Sequence, residues 1–422
     1  MSGRTIASVI LAGGKGTRLF PLTNHHAKPA VPFAGKYRLI DIPLSNSINS
    51  NMREIFVIAQ FLTAELQHHI HQTYHFGPLL DGQVNFLTPQ ETTGGEKIWF
   101  EGTADAVRKN LSTLLATGAE YFLILSGDQL YNIDFQEMFL FAQKTDADLT
   151  IASLPVQKES AHRLGILEID AAAKVLHFIE KPEKKEELNG FILPKRYKDM
   201  LGCMQEEVFL ASMGIYIFKR NALEKLLLED DREDFGKHLI PKEITQGKTY
   251  AYIYEGYWED IGTIRSFYEA NLAFLRGEKS LYAYDEKHPI FSSTSYLPGP
   301  IVENTTVHQS MLSDGCVIQG EKLIHSIIGP KVHIGEGTII KNSIIMGVQP
   351  SSHLAQEQPL IATIGKNCLI ENAIIDEHVC IEDGVSLQNA SLKESFDSKD
   401  VYIREGIIIA TKNAHITRSL PL

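Results

Sequence analysis

Aliphatic residues recur at every sixth position in roughly the last third of the chain, and this spacing restricts the fold of that region strongly. The runs that keep the period are Ile328, Ile334 and Ile340; Ile364 and Ile370; and Ile375, Ile381 and Leu387. A six-residue period is typical of a parallel β-helix, in which each short strand points one aliphatic side chain into a shared core. We therefore predict a β-helix, with a loop over Gln349–Leu360, where the period breaks. An ordinary β-sandwich is the alternative.

Short apolar runs alternate with helical stretches over the first 280 residues. The predicted strands are Ile6–Ala12, Glu54–Ala59, Tyr121–Ser126, Leu149–Leu154 and Val175–Ile179. The predicted helices are Thr63–His71, Ala104–Ala116 and Phe135–Thr145. Such alternation predicts an α/β fold with a Rossmann-like, mostly parallel sheet. Ligands of these sheets bind beyond the carboxyl ends of the strands.

The chain length and these two patterns predict two domains joined by a linker. The α/β sheet domain is expected to span residues 1–280, and a left-handed parallel β-helix residues 301–422. Between them, Tyr282–Pro300 holds three prolines and no helical period. Residues 281–300 are therefore expected to wrap on the surface as a linker.

Charge and apolar patterning exclude several classes of function. The 40 lysine and arginine residues against 52 acidic ones give a net charge of −12, so a nucleic-acid binder is not expected. The apolar runs fall far short of the roughly 18 residues that span a membrane. The first residues lead directly into a strand, without a targeting pattern, which predicts a cytoplasmic protein of bacterial type. The cysteines form no CxxC pair and are expected to be free thiols: Cys203, Cys316, Cys368 and Cys380.

The first predicted strand runs into the glycine-rich, basic segment Leu11–Arg18. Its glycines let the backbone approach phosphate oxygens closely, and Lys15 and Arg18 add positive charge. The spacing of a P-loop is absent, and Leu19 stands where a dinucleotide fingerprint needs its third glycine. Prolines that follow also make a helix here unfavourable. We therefore predict a triphosphate-binding loop; a plain turn is the alternative.

Lys28 and two aspartates extend this candidate site. Lys28 precedes a proline further along the same segment, where a stiff backbone would aim its ammonium group; a solvated surface lysine is the alternative. Asp128 follows a predicted strand and is a minimal Mg²⁺ ligand. Asp260 is its expected partner, preferred over Glu259 because a short side chain fixes a ligand more tightly. Each aspartate could instead cap a turn or helix.

Glu180 and Lys181 follow the apolar run Val175–Ile179 in the same way. Lys181 would meet the phosphate of a second substrate, and Glu180 would accept hydrogen bonds from sugar hydroxyls. These parts suit transfer of a nucleotidyl group to a sugar 1-phosphate, driven by alignment and charge stabilisation. The sequence holds no HExxH motif or Ser-His-Asp arrangement that would favour hydrolysis instead.

Several short segments together resemble one family over nearly the whole chain. They are Leu11–Leu19, Ala27–Val31, Tyr37–Asn46, Gly102–Ala106, Ser126–Asp128, Glu180–Pro182, Ser212–Tyr216, Asp234–Gly236 and Trp258–Gly262. On these segments the chain resembles the glucose-1-phosphate adenylyltransferase family. The glycine loop is shared by many sugar nucleotidyltransferases, whereas Tyr37–Asn46, Ser212–Tyr216 and the C-terminal β-helix are more specific to this family.

The resemblance implies transfer of AMP from ATP to α-D-glucose 1-phosphate, giving ADP-glucose and pyrophosphate, the first committed step of glycogen or starch synthesis. It implies catalytic roles for Arg18, Lys28 and Asp128, and Mg²⁺ bound by Asp128 and Asp260. It implies a nucleotide site made of Leu11, Ala12, Gly13, Gly14, Gln60, Gly102 and Thr103. It implies a glucose 1-phosphate site made of Phe100, Gly165, Glu180, Lys181 and Ser212. Phe100 stands where the family often has tyrosine.

The resemblance also implies a homotetramer controlled by an anionic metabolite activator and a phosphate or AMP-type inhibitor. Relatives carry basic residues linked to activator binding where this chain has His25 and His26. Histidine is mostly neutral at pH 7, so activation is expected to be altered and pH-dependent. Lys412 and Arg418 are further expected anion contacts. His25→Ala should then change activation more than the basal rate; an equal loss in both would contradict this.

Two alternatives stay open. The chain could be a sugar nucleotidyltransferase that uses another nucleoside triphosphate, because base choice depends on pocket shape. It could also be a non-catalytic regulatory subunit on the same fold. Such subunits tend to lose the phosphate-binding cations, whereas Arg18, Lys28 and Lys181 are all present here.

Overall fold

The computed structural model describes residues 5–77, 81–90, 99–277, 281, 285–349 and 361–419. The strands of the first domain are β1 (Ile6–Leu11), β2 (Pro32–Phe33), β3 (Tyr37–Arg38), β4 (Glu54–Ile58), β5 (Gln83–Leu87), β6 (Tyr121–Ser126), β7 (Gln129–Tyr131), β8 (Leu149–Gln157), β9 (Gly165–Ile169), β10 (Val175–Glu180), β11 (Val208–Lys219), β12 (Thr249–Ile253) and β13 (Trp258–Asp260).

The helices are α1 (Asp41–Asn49), α2 (Thr63–Thr73), α3 (Thr103–Lys109), α4 (Leu111–Ala116), α5 (Phe135–Thr145), α6 (Lys158–Ala161), α7 (Lys195–Met200), α8 (Arg220–Glu229), α9 (Ile240–Gln246) and α10 (Ile264–Phe274). Short 3-10 turns cover Thr17–Leu19, Leu22–Asn24, Lys28–Ala30 and Lys185–Leu188, and a π-helical turn covers Phe235–Leu239. The helix predicted over Ala104–Ala116 is divided at Asn110, whose side-chain amide donates to the carbonyl oxygen of Ala106 at 2.8 Å.

One large sheet organises the first domain. Its strands lie in the order β10-β9-β11-β6-β1-β4-β5, with β8 beside β11 and β12 beside β8. Strands β1, β4, β5 and β6 run parallel, as do β8 and β12. Strand β11, which was not predicted, runs antiparallel to β6, β8 and β9. The predicted α/β fold with a mostly parallel sheet is confirmed.

Side chains of the central strand β1 alternate between two hydrophobic layers. Ile6 and Ile10 pack with residues of α2, α5 and α10 on one face of the sheet. Ala7 and Val9 pack with residues of α3, α4 and α8 on the other. Because both faces are covered, β1 is mostly apolar rather than alternating with polar residues, and its one polar residue, Ser8, is buried too.

The register of the central strands brings their carboxyl ends to one edge. Leu11, the last residue of β1, lies beside Ile58 of β4 and beside Ser126 of β6. The loops that follow these three strands therefore start from the same place. This edge is where the ligand of a parallel sheet is expected.

The second domain is a parallel β-helix. Its strands are β14 (Ile301–Val302), β15 (Thr306–His308), β16 (Met311–Leu312), β17 (Val317–Ile318), β18 (Lys322–Ile324), β19 (Ile327–Ile328), β20 (Val332–Ile334), β21 (Ile339–Lys341), β22 (Ile344–Ile345), β23 (Ala362–Ile364), β24 (Leu369–Glu371), β25 (Ala373–Ile375), β26 (Cys380–Ile381), β27 (Ser386–Leu387), β28 (Ser395–Asp397), β29 (Val401–Arg404), β30 (Ile407–Ala410) and β31 (His415–Ile416). Three faces result, β14-β17-β20-β23-β26-β31, β15-β18-β21-β24-β27 and β16-β19-β22-β25-β30, and β28 and β29 extend the third face antiparallel.

The six-residue period corresponds to the core of this β-helix. Every residue of the three predicted runs is at most 1% exposed and belongs to one hydrophobic cluster. The prediction of a β-helix is therefore confirmed, and the β-sandwich alternative is wrong. The loop predicted over Gln349–Leu360 lies outside the described residues, apart from Gln349, which is buried.

The two domains pack against each other directly. Ile344, Ile374 and Ile409 of the β-helix share a hydrophobic cluster with Phe267 of α10. The segment 285–300 lies on the first domain, where the Phe291 amide donates to Ser45 Oγ at 2.8 Å. The four cysteines are free thiols, as predicted. Within the described ranges, no helix is both long and apolar enough to cross a membrane.

Candidate active site

A cavity of about 570 Å³ opens at the carboxyl edge of β1, β4 and β6. Nine of the residues expected at the site line it: Leu11, Gly13, Gly14, Gln60, Phe100, Gly102, Thr103, Asp128 and Glu180. The expected residues outside the lining are Ala12, Arg18, Lys28, Gly165, Lys181, Ser212 and Asp260. Most of these seven contact or lie close to lining residues, as described below.

The glycine loop is fixed to the opposite wall of the cavity by Gln60, two residues beyond β4. Its side-chain amide donates to the carbonyl oxygens of Gly13 at 3.1 Å and Phe100 at 3.2 Å. Its side-chain oxygen accepts a hydrogen bond from the Phe100 amide at 2.9 Å. Gln60 therefore sets the width of the cavity at this end. Gly16 adopts φ = 63°, a left-handed conformation that suits glycine, where the loop turns towards Lys28.

Lys28 and Asp128 form an ion pair beside this loop. Lys28 Nζ lies 2.5 Å from Asp128 Oδ2, although the two residues are far apart in sequence. The other oxygen of Asp128 accepts a hydrogen bond from Ser126 Oγ. Burial alone would raise the pKa of Asp128, but Lys28, Ser126 and Arg18 outweigh it and hold the pKa below its usual value. Asp128 is thus a carboxylate at neutral pH.

Asp260 is brought to Asp128 by the pairing of β13 with β7. In this antiparallel pair Asp260 lies opposite Gln129, the residue after Asp128. Burial and the charge of Asp128 raise the pKa of Asp260, and Lys28, Arg18 and Lys181 lower it less strongly. A Cβ atom on Gly262 would lie 3.1 Å from Arg18 Nη1 and 3.2 Å from Asp260 Oδ2, so this glycine makes room for both groups.

The two aspartates fit a divalent cation. The charge of one raises the pKa of the other, which is the mutual repulsion that a bound cation would relieve. A second group, formed by His26, Glu65 and Glu377, also has ligand atoms within 4.8 Å of one another. The guanidinium group of Arg38 already lies against that group, 2.9 Å from Glu65. A metal ion there would meet positive charge, so the aspartate pair is the better candidate.

Glu180 lines the cavity beside Gly236, on which a Cβ atom would lie 3.1 Å from Glu180 Oε2. The pKa of Glu180 is raised overall, mainly by burial. The charge of Lys181 lowers it, and the charge of Asp234 raises it further. A Cβ atom on Gly165 would lie 2.4 Å from Cζ of Phe178 and 2.8 Å from Glu180 Oε2, so glycine leaves room for both of these side chains. Lys181 Nζ lies 3.5 Å from Glu180 Oε1. The Lys181 side chain is 55% exposed, so its ammonium group is accessible to a ligand.

Ser212 lies on β11 next to the lining residues Gly214 and Tyr216. Its Oγ accepts a hydrogen bond from the Gly214 amide at 3.2 Å. Burial raises the pKa of Tyr216, and a hydrogen bond with Ser212 opposes this. Ser212 therefore contacts two residues of the cavity wall, Gly214 and Tyr216, without lining the cavity itself.

Gly102 and Thr103 hold the start of α3 against the segment that contains Asp234–Gly236. The Ala104 amide donates to the carbonyl oxygen of Glu233 at 2.8 Å. Thr103 Oγ1 accepts a hydrogen bond from the Phe235 amide at 3.1 Å.

Lys15, predicted to add positive charge to the glycine loop, also lines the cavity. Several further lining residues were not predicted as site residues: Ile58, Phe61, Glu101, Ala106, Ser126, Gln129, Gly214, Tyr216, Asp234, Phe235 and Gly236. Lys15, Ser126, Tyr216 and Asp234–Gly236 belong to the segments that carry the family resemblance, so the sequence held a signal for them. Phe61 and Glu101 follow or precede predicted contacts by one residue and had no signal of their own.

The expected regulatory residues lie in different surroundings. His25 is exposed, and partial burial lowers its pKa. His26 is buried, and the carboxylates of Asp376 and Glu65 outweigh burial and raise its pKa to about 10. The expectation of a neutral histidine is therefore wrong for His26. Lys412 contacts Glu377 at 2.7 Å, and Arg418 is exposed and outside this group of contacts.

Comparison with known families agrees with this architecture. Residues 7–277 match the family model described as nucleotidyl transferase, which covers more than half of the chain. Residues 295–420 match the model described as the GLGC left-handed parallel beta-helix domain, which also gives the handedness of the second domain. The chain therefore belongs to the nucleotidyl transferase family, with the pair of domains that characterises the glucose-1-phosphate adenylyltransferase family.

Proposed function

We propose that this protein transfers AMP from ATP to α-D-glucose 1-phosphate and releases pyrophosphate, forming ADP-glucose for glycogen or starch synthesis. The observation that carries the proposal is the arrangement of one cavity. The glycine loop, Asp128 and Glu180 line this cavity. Lys28 pairs with Asp128, and Lys181 pairs with Glu180 and is close enough to Asp260 to lower its pKa. A triphosphate and a sugar phosphate could thus meet in this cavity. The family match supports a sugar-1-phosphate nucleotidyltransferase.

The reaction needs alignment and charge stabilisation rather than a covalent nucleophile on the enzyme. A phosphate oxygen of glucose 1-phosphate forms a bond to the α-phosphorus of ATP, and the bond from that phosphorus to pyrophosphate breaks. Arg18 and Lys28 would hold the triphosphate, and backbone amides of the glycine loop would approach its oxygens. Glu180 would orient the glucose hydroxyls, and Lys181 would bind its phosphate.

Asp128 and Asp260 are the residues proposed to hold Mg²⁺. The ion would offset negative charge on the phosphate oxygens. Lys28 forms an ion pair with Asp128, one of these two aspartates.

The choice of ATP is supported by the family-specific segments Tyr37–Asn46 and Ser212–Tyr216 and by the β-helix match. The test is a panel of ATP, dTTP, UTP and GTP at fixed glucose 1-phosphate, with pyrophosphate release as the readout. ATP should give the highest rate. A preference for another nucleotide would replace the proposed substrate. No release with any nucleotide would favour the non-catalytic subunit, against which the presence of Arg18, Lys28 and Lys181 counts.

We further propose that the protein is a homotetramer that an anionic activator and a phosphate or AMP-type inhibitor control. Family resemblance supports this assembly. The exposed apolar residues Ile301, Val302 and Val307 on the first coil of the β-helix are also available for contact. Light scattering of the purified chain should give four times the 47.2 kDa monomer mass. A monomer in solution would contradict the proposal.

A further inference from the structure

The short turn that carries Lys28 is preceded by a buried histidine with two carboxylate partners. His26 Nδ1 donates to Glu65 Oε2 at 3.0 Å, and Nε2 donates to Asp376 Oδ1 at 3.1 Å. His26 is 1% exposed, and Asp376 is fully buried. Glu65 belongs to α2 of the first domain, whereas Asp376 follows β25 of the β-helix. The imidazolium therefore joins the two domains two residues before Lys28.

The far end of the same turn is held by Arg38. Its Nη1 donates to the carbonyl oxygen of Ala30, the last residue of the turn. Its Nη2 lies 2.9 Å from Glu65 Oε1 and 3.6 Å from Glu377 Oε1. Arg38 is 1% exposed, and Glu377 is fully buried in the β-helix. Both ends of the turn are thus tied to the same cluster of carboxylates.

The β-helix supplies half of this cluster from two neighbouring strands. Asp376 and Glu377 follow β25, and Lys412 follows β30, which pairs with β25. Lys412 Nζ lies 2.7 Å from Glu377 Oε2 and 3.4 Å from Glu65 Oε1. The three cations His26, Arg38 and Lys412 balance the three carboxylates. His25 and Asp41 also face the cluster, His25 near Asp376 and Lys412, and Asp41 near Arg38.

We propose that the β-helix positions Lys28 for the triphosphate through Asp376 and Glu377, which hold His26 and Arg38 at the two ends of the Lys28 turn. The proposal rests on the proposed function of Lys28. Removing one partner of a buried ion pair leaves the other charge buried and uncompensated, so the cluster holds the turn in one place. His26 and Arg38 are positioning residues, because they act through Lys28 and do not line the cavity.

The test is a double-mutant cycle. Asp376→Asn and His26→Gln are each measured in the wild-type and the Lys28→Ala background. In the wild-type background we expect kcat to fall about tenfold to a hundredfold, since small displacements at a reacting centre have effects of this size. In the Lys28→Ala background the further fall should be less than about twofold. His26→Arg should recover part of the rate because it keeps the charge.

A matched control is His71→Gln, an exposed histidine on the same helix as Glu65, which should leave kcat unchanged. Equal losses of kcat in both backgrounds would overturn the proposal, because the cluster would then act on stability alone. No loss in either background would overturn it as well.

Hydrogen exchange separates this proposal from the proposed function, because it needs no substrate. The amides of Ala30 and Val31 close the Lys28 turn on the carbonyl oxygens of Ala27 and Lys28. In substrate-free enzyme these two amides should exchange faster in Asp376→Asn than in wild type. Unchanged exchange would overturn the positioning role, even if the wild-type chain used a nucleotide other than ATP or had no activity.

Discussion

Single residues of the site differ in charge state because their surroundings differ. Asp128 and Asp260 are neighbours, yet the pKa of Asp128 is lowered by Lys28 and that of Asp260 is raised by burial and by Asp128. The carboxyl group of Asp260 therefore takes up a proton at higher pH than an ordinary aspartate. A metal ion at this site competes with that proton.

The Mg²⁺ requirement should accordingly depend on pH. We expect the Mg²⁺ concentration for half-maximal pyrophosphate release to rise as the pH falls from neutral, because protonated Asp260 is a poor ligand. Asp260→Asn should need more Mg²⁺ at every pH and show a weaker pH dependence. Glu259→Gln is the matched control, and should keep the wild-type requirement. If Glu259→Gln instead raised the requirement and Asp260→Asn did not, the ligand assignment would be wrong.

His26 makes a second pH-dependent contribution, to stability. Asp376 and Glu65 outweigh burial and raise its pKa to about 10 from 6.5. The stabilisation is complete below the unfolded pKa and is lost as the pH rises through the folded pKa. Between these two pKa values the folded chain holds about one proton more than the unfolded chain. The free energy of unfolding therefore falls by about 1.4 kcal/mol for each unit by which the pH rises.

The unfolding midpoint of the wild type should therefore fall more steeply between about pH 7 and pH 9 than that of His26→Gln. Denaturation at several pH values measures the two slopes. His71→Gln should keep the wild-type slope, since this histidine is exposed. Parallel curves for wild type and His26→Gln would show that His26 does not carry the extra proton.

Among the elements, the contact between the start of α3 and the segment at Asp234–Gly236 controls the shape of the cavity. A Cβ atom on Gly102 would lie 2.3 Å from the carbonyl oxygen of Glu233, so Gly102→Ala must move one of these two segments. We expect the KM for nucleotide to rise and kcat to fall. Gly77→Ala is the control, because a Cβ atom there meets nothing within 4 Å. Unchanged KM and kcat in Gly102→Ala would show that this contact does not control the shape of the cavity.

The β-helix coils should respond to loss of a single inward side chain. Ile340 is fully buried in the core, and Ile340→Ala should cost about 2–5 kcal/mol of stability. Thr363, which is exposed on β23, gives the control Thr363→Ala with a much smaller effect. Denaturation of both variants measures the loss in free energy of unfolding. Equal losses would contradict the inward direction of the Ile340 side chain.

Local sequence patterns predict some elements of this fold and miss others. The β-helix could be predicted because the inward residue of each strand repeats at a fixed spacing, as at Ile334 and Ile340. Strand β11 could not, because it enters the sheet antiparallel, and its register shifts between Ser212 and Tyr216 around Gly214 at φ = 70°. That shift depends on neighbouring strands rather than on the local sequence.

At the scale of the whole molecule, residues far apart in sequence meet by register and by domain packing. Asp128 could be proposed as a ligand because it follows an apolar strand, and Asp260 as its partner because its short side chain fixes a ligand more tightly than that of Glu259. The contact of His26 with Asp376 joins two domains, and no local pattern predicts it. The charge of His26 was therefore expected wrongly, since its partner was not known from the sequence.

The most direct test of the whole account is pyrophosphate release from ATP, glucose 1-phosphate and Mg²⁺, measured for the wild type and for Asp128→Asn. The wild type should release pyrophosphate and form ADP-glucose. The rate should fall by orders of magnitude in Asp128→Asn, because loss of a metal ligand raises the barrier by several kcal/mol. Near-normal activity in Asp128→Asn would contradict the account.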